Sequence, residues 1–472
     1  MGAVLAFAPC LVRIVGGWLG VPFSVESIQL FVLGVAGYGA LWLGMRDSAP
    51  RLSSVAFPFL FLFSYTVRAI TLDVDSQMQA VGETSLSFGR FSFTPSAYWD
   101  FTIIAVVGLS GLTAGQLVVR QWLRRRPADQ AHRLHVSSGD LPVIVWLWFG
   151  LSVMVLVLSG VLGVGSSGLV HAELPFKITG LLHFSRTLIL PLMGMYLFGA
   201  AVEAGRHRQA YLLLFLALLI GIASFPISLS KASVLYAVLP YIAYLSIASY
   251  HYRFSRKLFR LGVVALVLTV PVTVITVQAV RDLAYSSGHL PKPSEVIEEV
   301  KATVSLEAIG KLVVQLRYLV IDRIIGGGEL MGVMAGSPYS SSLVAQIVLG
   351  QGTDPALGVG DIYYDLYGLS PSTVEGVYNG KAFGLFGLLY LTHKLYIVFV
   401  LTLVLGGLTL WIEHVFLLNM NAAVAVFVGF MLSIAIWEGG FDTLKFYPVL
   451  LGGTLVASKI LPGKTRKTAH GS

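Results

Sequence analysis

An all-α, polytopic transmembrane helical bundle with one long, partly helical extracytoplasmic loop is the fold this sequence predicts, on three observations. Apolar runs of roughly 18–22 residues recur along the chain, long enough to cross the hydrocarbon of a bilayer as helices. Only 12% of residues are charged, against 56% hydrophobic, about half the charged share of a soluble domain. Mean hydropathy is +0.79. Basic residues gather in short loops beside the apolar runs, the pattern of cytoplasmic loops in helical membrane proteins.

Taken in order, residues 4–20 form a short apolar run interrupted by Arg13, read as a first span or an interfacial helix. Spans at 27–45 and 52–70 flank a turn with Arg46 and Arg51, which places that turn in the cytoplasm. Residues 71–97 read as an outer loop, and 98–119 returns to the strongly basic "RQWLRRRPADQAHR". Spans at 141–163 and 181–202 enclose a short outer loop and lead to the basic "GRHRQ". Spans at 210–226 and 233–250 are joined by "SLSKAS" and end at "HYRFSRKLFR". A span at 261–280 delivers Arg281 to the outer face, and spans at 395–412, 422–437 and 446–460 close the chain at "KTRKTAH". Every strongly basic loop then falls on one side, with about twelve spans, or eleven if the first run is interfacial. The chain divides into N-terminal helices (1–280), an extracytoplasmic loop with amphipathic helices (281–394), and C-terminal helices with a basic tail (395–472).

This layout excludes several functions. The cytoplasmic loops are too short for a nucleotide-binding domain and carry no phosphate-loop motif. The net charge of +8 is spread over membrane-flanking loops, so it does not describe a nucleic-acid surface. A single cysteine, Cys10, rules out an intrachain disulfide and a cysteine-based metal site. The working face points away from the cytoplasm.

The candidate chemistry is concentrated in the long loop. Residues 294–334 read as two helices, Ser294 capping the first and Gly327 and Gly328 stopping the second. On a helical wheel Lys311, Gln315, Tyr318 and Asp322 form a polar stripe, while Arg317 and Arg323 fall among leucines, valines and isoleucines. A guanidinium on an apolar face is costly unless an anion meets it, and its planar fork of donors suits a phosphate-type group. Pairing with Asp322 or Glu329, or snorkelling to headgroups, is the alternative. Further on, Tyr363, Tyr364, Tyr367 and Tyr378 are interleaved with Asp361, Asp365 and Glu375. Aromatic rings stack on sugar faces while carboxylates accept hydroxyl hydrogen bonds. An aromatic belt at the membrane surface would use the same tyrosines.

Cations outside that loop also fall on the outer side: Arg68, Arg186, Lys231 and Arg281. Interfacial anchoring explains any one of them, but the positive-inside rule disfavours the whole set. The excess suggests an anionic lipid-linked substrate such as a polyprenyl pyrophosphate sugar. Asp73 and Asp75 form a D-x-D pair of the kind that holds Mg²⁺ or Mn²⁺ in a metal-dependent transferase. His171, His183, His289 and His393 have no metal-ligand spacing, and any of them could serve as a base.

The order "SLSKAS", "VQAVRD", "LRYLVIDR" and "GVYNGKAFGLFGLLYL" over residues 220–395 resembles the oligosaccharide repeat-unit polymerases, the O-antigen polymerase (Wzy-type) family, which are related to the O-antigen ligases. The family's usual arginine in the small-residue turn is Lys231 here. The resemblance implies a GT-C-like, inverting, metal-independent glycosyltransferase of the bacterial inner membrane. It would need no cofactor and would act at the periplasmic face on undecaprenyl-pyrophosphate-linked oligosaccharide, with a chain-length regulator as a partner besides the bilayer. Arg186, Lys231, Arg281, Arg317 and Arg323 would bind pyrophosphate and Tyr363, Tyr367 and Tyr378 the sugar. Asp322, Asp361, Asp365 and Glu375 are the candidate bases, among which the sequence does not choose. Competing readings are an O-antigen ligase, another lipid-sugar-dependent transferase, and a flippase for the same lipid-linked sugar.

Overall fold

The computed structural model of the protein describes residues 2–21, 23–46, 51–73, 94–124, 140–164, 178–228, 233–248, 256–269, 327–342 and 384–438, with a few isolated positions besides. These are almost wholly helical, with no strand among the described residues. In chain order the helices are α1 (Gly2–Trp18), α2 (Ser27–Met45), α3 (Leu52–Asp73), α4 (Pro95–Arg124), α5 (Leu141–Val161), α6 (Ile178–Glu203), α7 (His207–Ser228) and α8 (Ser233–Ala248). They are followed by α9 (256–269), α10 (Gly327–Ala335), α11 (Gly384–Tyr390), α12 (Leu395–Asn419) and α13 (Ala422–Trp437). Among the described residues seven helices are long and apolar enough to cross a membrane, namely α2 to α7 and α12; α1, α8 and α13 are apolar but shorter.

The helix ends follow local chemistry. Gly163 and Gly205 take positive φ (64° and 68°) just past α5 and α6. There the next amide reaches back five residues, Val164 to Ser159 and Arg206 to Ala201, each at 2.8 Å. That conformation is cheap only for glycine and closes orphan carbonyls at a helix C-terminus. α1 runs antiparallel along α2: a methyl at Gly2 would meet Leu41, one at Gly34 would meet the Ala6 carbonyl, and Cys10 lies over Ser27. Such a lengthwise pairing fits a span better than a helix lying in the interface.

Two contacts organise the bundle. α4 and α12 pack backbone to backbone through Gly111 and Gly115 on one side and Gly406 and Gly407 on the other. A methyl at Gly115 would fall on the Leu403 carbonyl, and one at Gly406 on the Leu112 carbonyl. Between helices in lipid, close van der Waals packing of this kind replaces the hydrophobic effect. The second organiser is α13, with eleven of its 16 residues buried. It touches α3, α6, α8, α11 and α12, and so joins one core built on α5 to α8 to another built on α2 to α4.

Polar contacts lie in two layers, one at each end of the helices. At the end carrying the basic loops, Glu413 of α12 accepts from the amides of Leu52 (2.6 Å) and Ser53 (3.2 Å) and from the Ser53 hydroxyl (2.6 Å). These are first-turn donors of α3, which have no acceptor within their own helix. Beside them Arg51 meets His414, and Arg120 donates to the Leu43 carbonyl and the Ser54 hydroxyl. Asn421 caps α13 and ties it to the Tyr196 carbonyl. At the opposite end Asp73, Arg13, Gln29, Tyr98, Arg186 and His393 make the equivalent ties.

Three local expectations change. Residues 71–73 continue α3 rather than opening a loop, because the Asp73 carboxylate is held inside the fold. Gly327 and Gly328, expected to stop a helix, stand at the start of α10 instead. Two pieces of the segment read as an outer loop, α10 and α11, are packed among the spans: Leu330, Leu385, Phe386, Leu388 and Leu389 are buried in the same core as α3 and α4. The apolar run "GLFGLLY" has no polar face to offer water, which explains its position.

Gly115→Leu must push α4 and α12 apart and is expected to cost about 1–3 kcal/mol or more. Gly39→Leu enters open space and serves as the control. Thermal unfolding of the detergent-solubilised protein measures both.

Candidate functional site

The described structure gathers polar and aromatic chemistry at the end of α13 opposite the basic loops. The indole N–H of Trp437 donates to the Ser64 hydroxyl at 2.9 Å, which fixes this end of α13 against α3. Around it stand Phe61, Tyr65 and Phe386, with ring centroids 5.0 Å apart for Tyr65–Phe386, 5.4 Å for Phe386–Trp437 and 5.3 Å for Phe61–Tyr65. The next residue, Glu438, accepts a 3.1 Å hydrogen bond from the Tyr236 hydroxyl on α8. Tyr236 in turn lies edge-on to Phe430. Burial in this apolar corner pushes the Glu438 carboxyl above the usual glutamate range, and the Tyr236 hydroxyl partly offsets that rise.

Two arginines at this end lie in or directly after π-helical turns, which are frequent at functional sites. α3 widens over Leu62–Val67 and is followed at once by Arg68; α6 widens over Ser185–Ile189, which includes Arg186. Arg68 is 6% exposed and donates to the Thr71 hydroxyl. It follows the π turn that contains Ser64, the partner of Trp437. Arg186 is half-buried and donates to the Val164 carbonyl at 3.2 Å. The α6–α13 register places it at the same end: Asn421 at the start of α13 meets Tyr196 and Gly199, so the earlier residues of α6 run towards Trp437. The planar fork of donors of a guanidinium has the chemistry to meet an anion.

Of the residues singled out in the sequence, Arg68 and Arg186 are therefore brought to the same end of the bundle. Lys231, Arg281, Arg317, Arg323, Asp322, Asp361, Asp365, Glu375, Tyr363, Tyr367 and Tyr378 lie outside the described residues, as do Asp75, His171 and His289. His183 stacks edge-on with Phe184. His393, at a positive φ of 53°, meets the Val333 carbonyl and stacks on Tyr390, which ties α10 to the start of α12.

Asp73 has a structural occupation. It is fully buried, and its Oδ2 accepts from the amides of Ser24 (2.7 Å) and Val25 (3.1 Å), while Arg13 binds the Val25 carbonyl at 2.8 Å. The carboxylate thereby locks the α1–α2 turn to the end of α3. Among the described residues no group of three or more metal-ligating side chains comes together.

Sequence reasoning missed Glu438 and Tyr236. The available signal was an acidic residue directly at the end of the most apolar span, "AIWEGGFD", where a charge is expensive unless it is used. Comparison with family models, with curated proteins and with solved structures finds no match.

Asp73→Ala frees two buried amides and is expected to lower thermal stability by about 2–3 kcal/mol. Wild type and variant are expected to respond identically to Mn²⁺ or to chelator. Metal protection seen in the wild type and lost in the variant would return Asp73 to a metal site.

Proposed function

We propose that this protein is a membrane glycosyltransferase polymerising undecaprenyl-pyrophosphate-linked oligosaccharide repeat units into a surface polysaccharide. On this reading it is a GT-C-like enzyme of about 11–12 spans in the bacterial inner membrane, with its active site at the periplasmic face. The observation that carries the reading is the placement of Arg68 and Arg186, both in or beside π turns, at the helix ends opposite the basic loops. Basic residues are disfavoured on that side unless an anion uses them.

The reaction is inverting and needs neither metal nor cofactor. A hydroxyl of the incoming lipid-linked repeat attacks the anomeric carbon of the growing glycan, and polyprenyl pyrophosphate leaves. Arg186, Lys231, Arg281, Arg317 and Arg323 hold the pyrophosphate and stabilise its charge as the bond to the sugar breaks. Tyr363, Tyr367 and Tyr378 carry the sugar. Asp322, Asp361, Asp365 and Glu375 are the sequence's candidates for the base near the attacking hydroxyl. Holding both lipid carriers in one site contributes much of the rate. A chain-length regulator in the membrane is a partner for such an enzyme.

The test is a gel of the host's surface glycan, with and without the gene, run beside its lipid-linked intermediates. A ladder that collapses to a single repeat on the final acceptor is the expected result. Long glycan stranded on the polyprenyl carrier would make the protein a ligase, and single repeats trapped on the cytoplasmic side would make it a flippase.

A further inference from the structure

The protein buries two glutamates beside α13, and they are used differently. Glu413 is 1% exposed, and both of its oxygens are occupied by first-turn donors of α3. It is a helix cap supplied by a neighbouring span, with neither oxygen left without a partner. Glu438 is half-buried, and among the described residues its side chain has one partner, the Tyr236 hydroxyl on Oε1. An ionised carboxylate accepts about four hydrogen bonds, so most of its capacity is open. It stands at the end where Arg68 and Arg186 lie, next to the Trp437–Ser64 tie that holds α13 to the π turn of α3.

We propose that Glu438 is the base of the transfer reaction, with the Tyr236 hydroxyl fixing its carboxylate through Oε1. The inference rests on the polymerase reading and names the residue that serves it. The hydroxyl of the incoming repeat gives its proton to Glu438 as its oxygen bonds to the anomeric carbon of the growing glycan. The bond from that carbon to the pyrophosphate oxygen breaks, and the electron pair leaves with polyprenyl pyrophosphate. The proton then passes from Glu438 to water, which restores the site. Burial at the end of α13 keeps the carboxylate weakly solvated, so it accepts a proton more readily than a surface glutamate would. Towards this end the described titratable and charged side chains on the elements packed against α13 are Tyr65, Arg68, Asp73, His183, Arg186, Tyr236, Tyr390, His393, Lys394 and Tyr396. Tyr236 is the one within hydrogen-bond distance of Glu438.

The test uses the gene-deleted host carrying wild type, Glu438→Gln or Tyr236→Phe, with full-length protein quantified in the membrane. Glu438→Gln keeps the shape and the acceptor for Tyr236 but cannot take the proton. It is expected to reduce the glycan ladder about 100-fold or more at wild-type protein level. Membrane vesicles supplied with the host's own lipid-linked single repeats give the pH profile. Tyr236→Phe removes a donor that favours the ionised carboxylate, so the acidic limb of its rate profile is expected to move to higher pH. A wild-type ladder from Glu438→Gln overturns the assignment. An unmoved acidic limb in Tyr236→Phe also overturns it, and that arm holds even if Glu438→Gln fails to fold. If wild type itself does not restore a ladder, the polymerase reading fails, which is distinct from failure of Glu438 alone.

Discussion

In a bilayer the first amides of a helix find no water, and each one left unpaired costs several kcal/mol. The start of α3 meets this constraint with a carboxylate from another span: Glu413 of α12 takes the Leu52 and Ser53 amides and the Ser53 hydroxyl. That tie sets α3 against α12, and α12 is itself in backbone contact with α4 through Gly406 and Gly407. α13 turns back from α12 at Asn421 and fills the space between α3, α6 and α8. Gly429 of α13 faces the Glu413 carboxylate, where any side chain would displace it.

With one end of α13 fixed, its other end carries the consequences. Trp437 is seated on Ser64, inside the π turn of α3, and the aromatic cluster of Phe61, Tyr65 and Phe386 closes around it. A π turn shifts the side chains that follow it about the helix axis, and the residue that follows here is Arg68. A second π turn does the same at Arg186 in α6. Two spans thus depart from regular α geometry at the same end of the molecule, each with a guanidinium at the irregularity. Towards the opposite end, the described Arg51 meets His414, and Arg120 donates to the Leu43 carbonyl and the Ser54 hydroxyl.

The spans were legible because lipid imposes a single rule, a long apolar run, and α2 and α13 start and stop within a residue of their sequence bounds. The errors fall where a tertiary partner outweighs local composition. Asp73 looks like a loop residue until the amides of Ser24 and Val25, 49 and 48 positions away, hold it at the end of α3. Gly327 and Gly328 look like a helix stop, but they open α10, whose Leu330 and Met331 are buried. Arg68 and Arg186 were legible as cations at helix ends because they border long apolar runs. Glu438 was not, since its significance comes from Tyr236, a residue 202 positions earlier that no pattern links to it.

On the proposed function, the end of the bundle carrying Arg68, Arg186 and Glu438 faces away from the cytoplasm. Single cysteines in a Cys10→Ser background test it most directly, with a membrane-impermeant maleimide applied to spheroplasts. Val21 is exposed in the α1–α2 turn at that end, and Ala204 is exposed in the α6–α7 turn at the other. Val21→Cys is expected to label in sealed spheroplasts and Ala204→Cys only after lysis. Labelling of Ala204→Cys in sealed spheroplasts, with Val21→Cys protected, would put the site on the cytoplasmic side and contradict a periplasmic transferase.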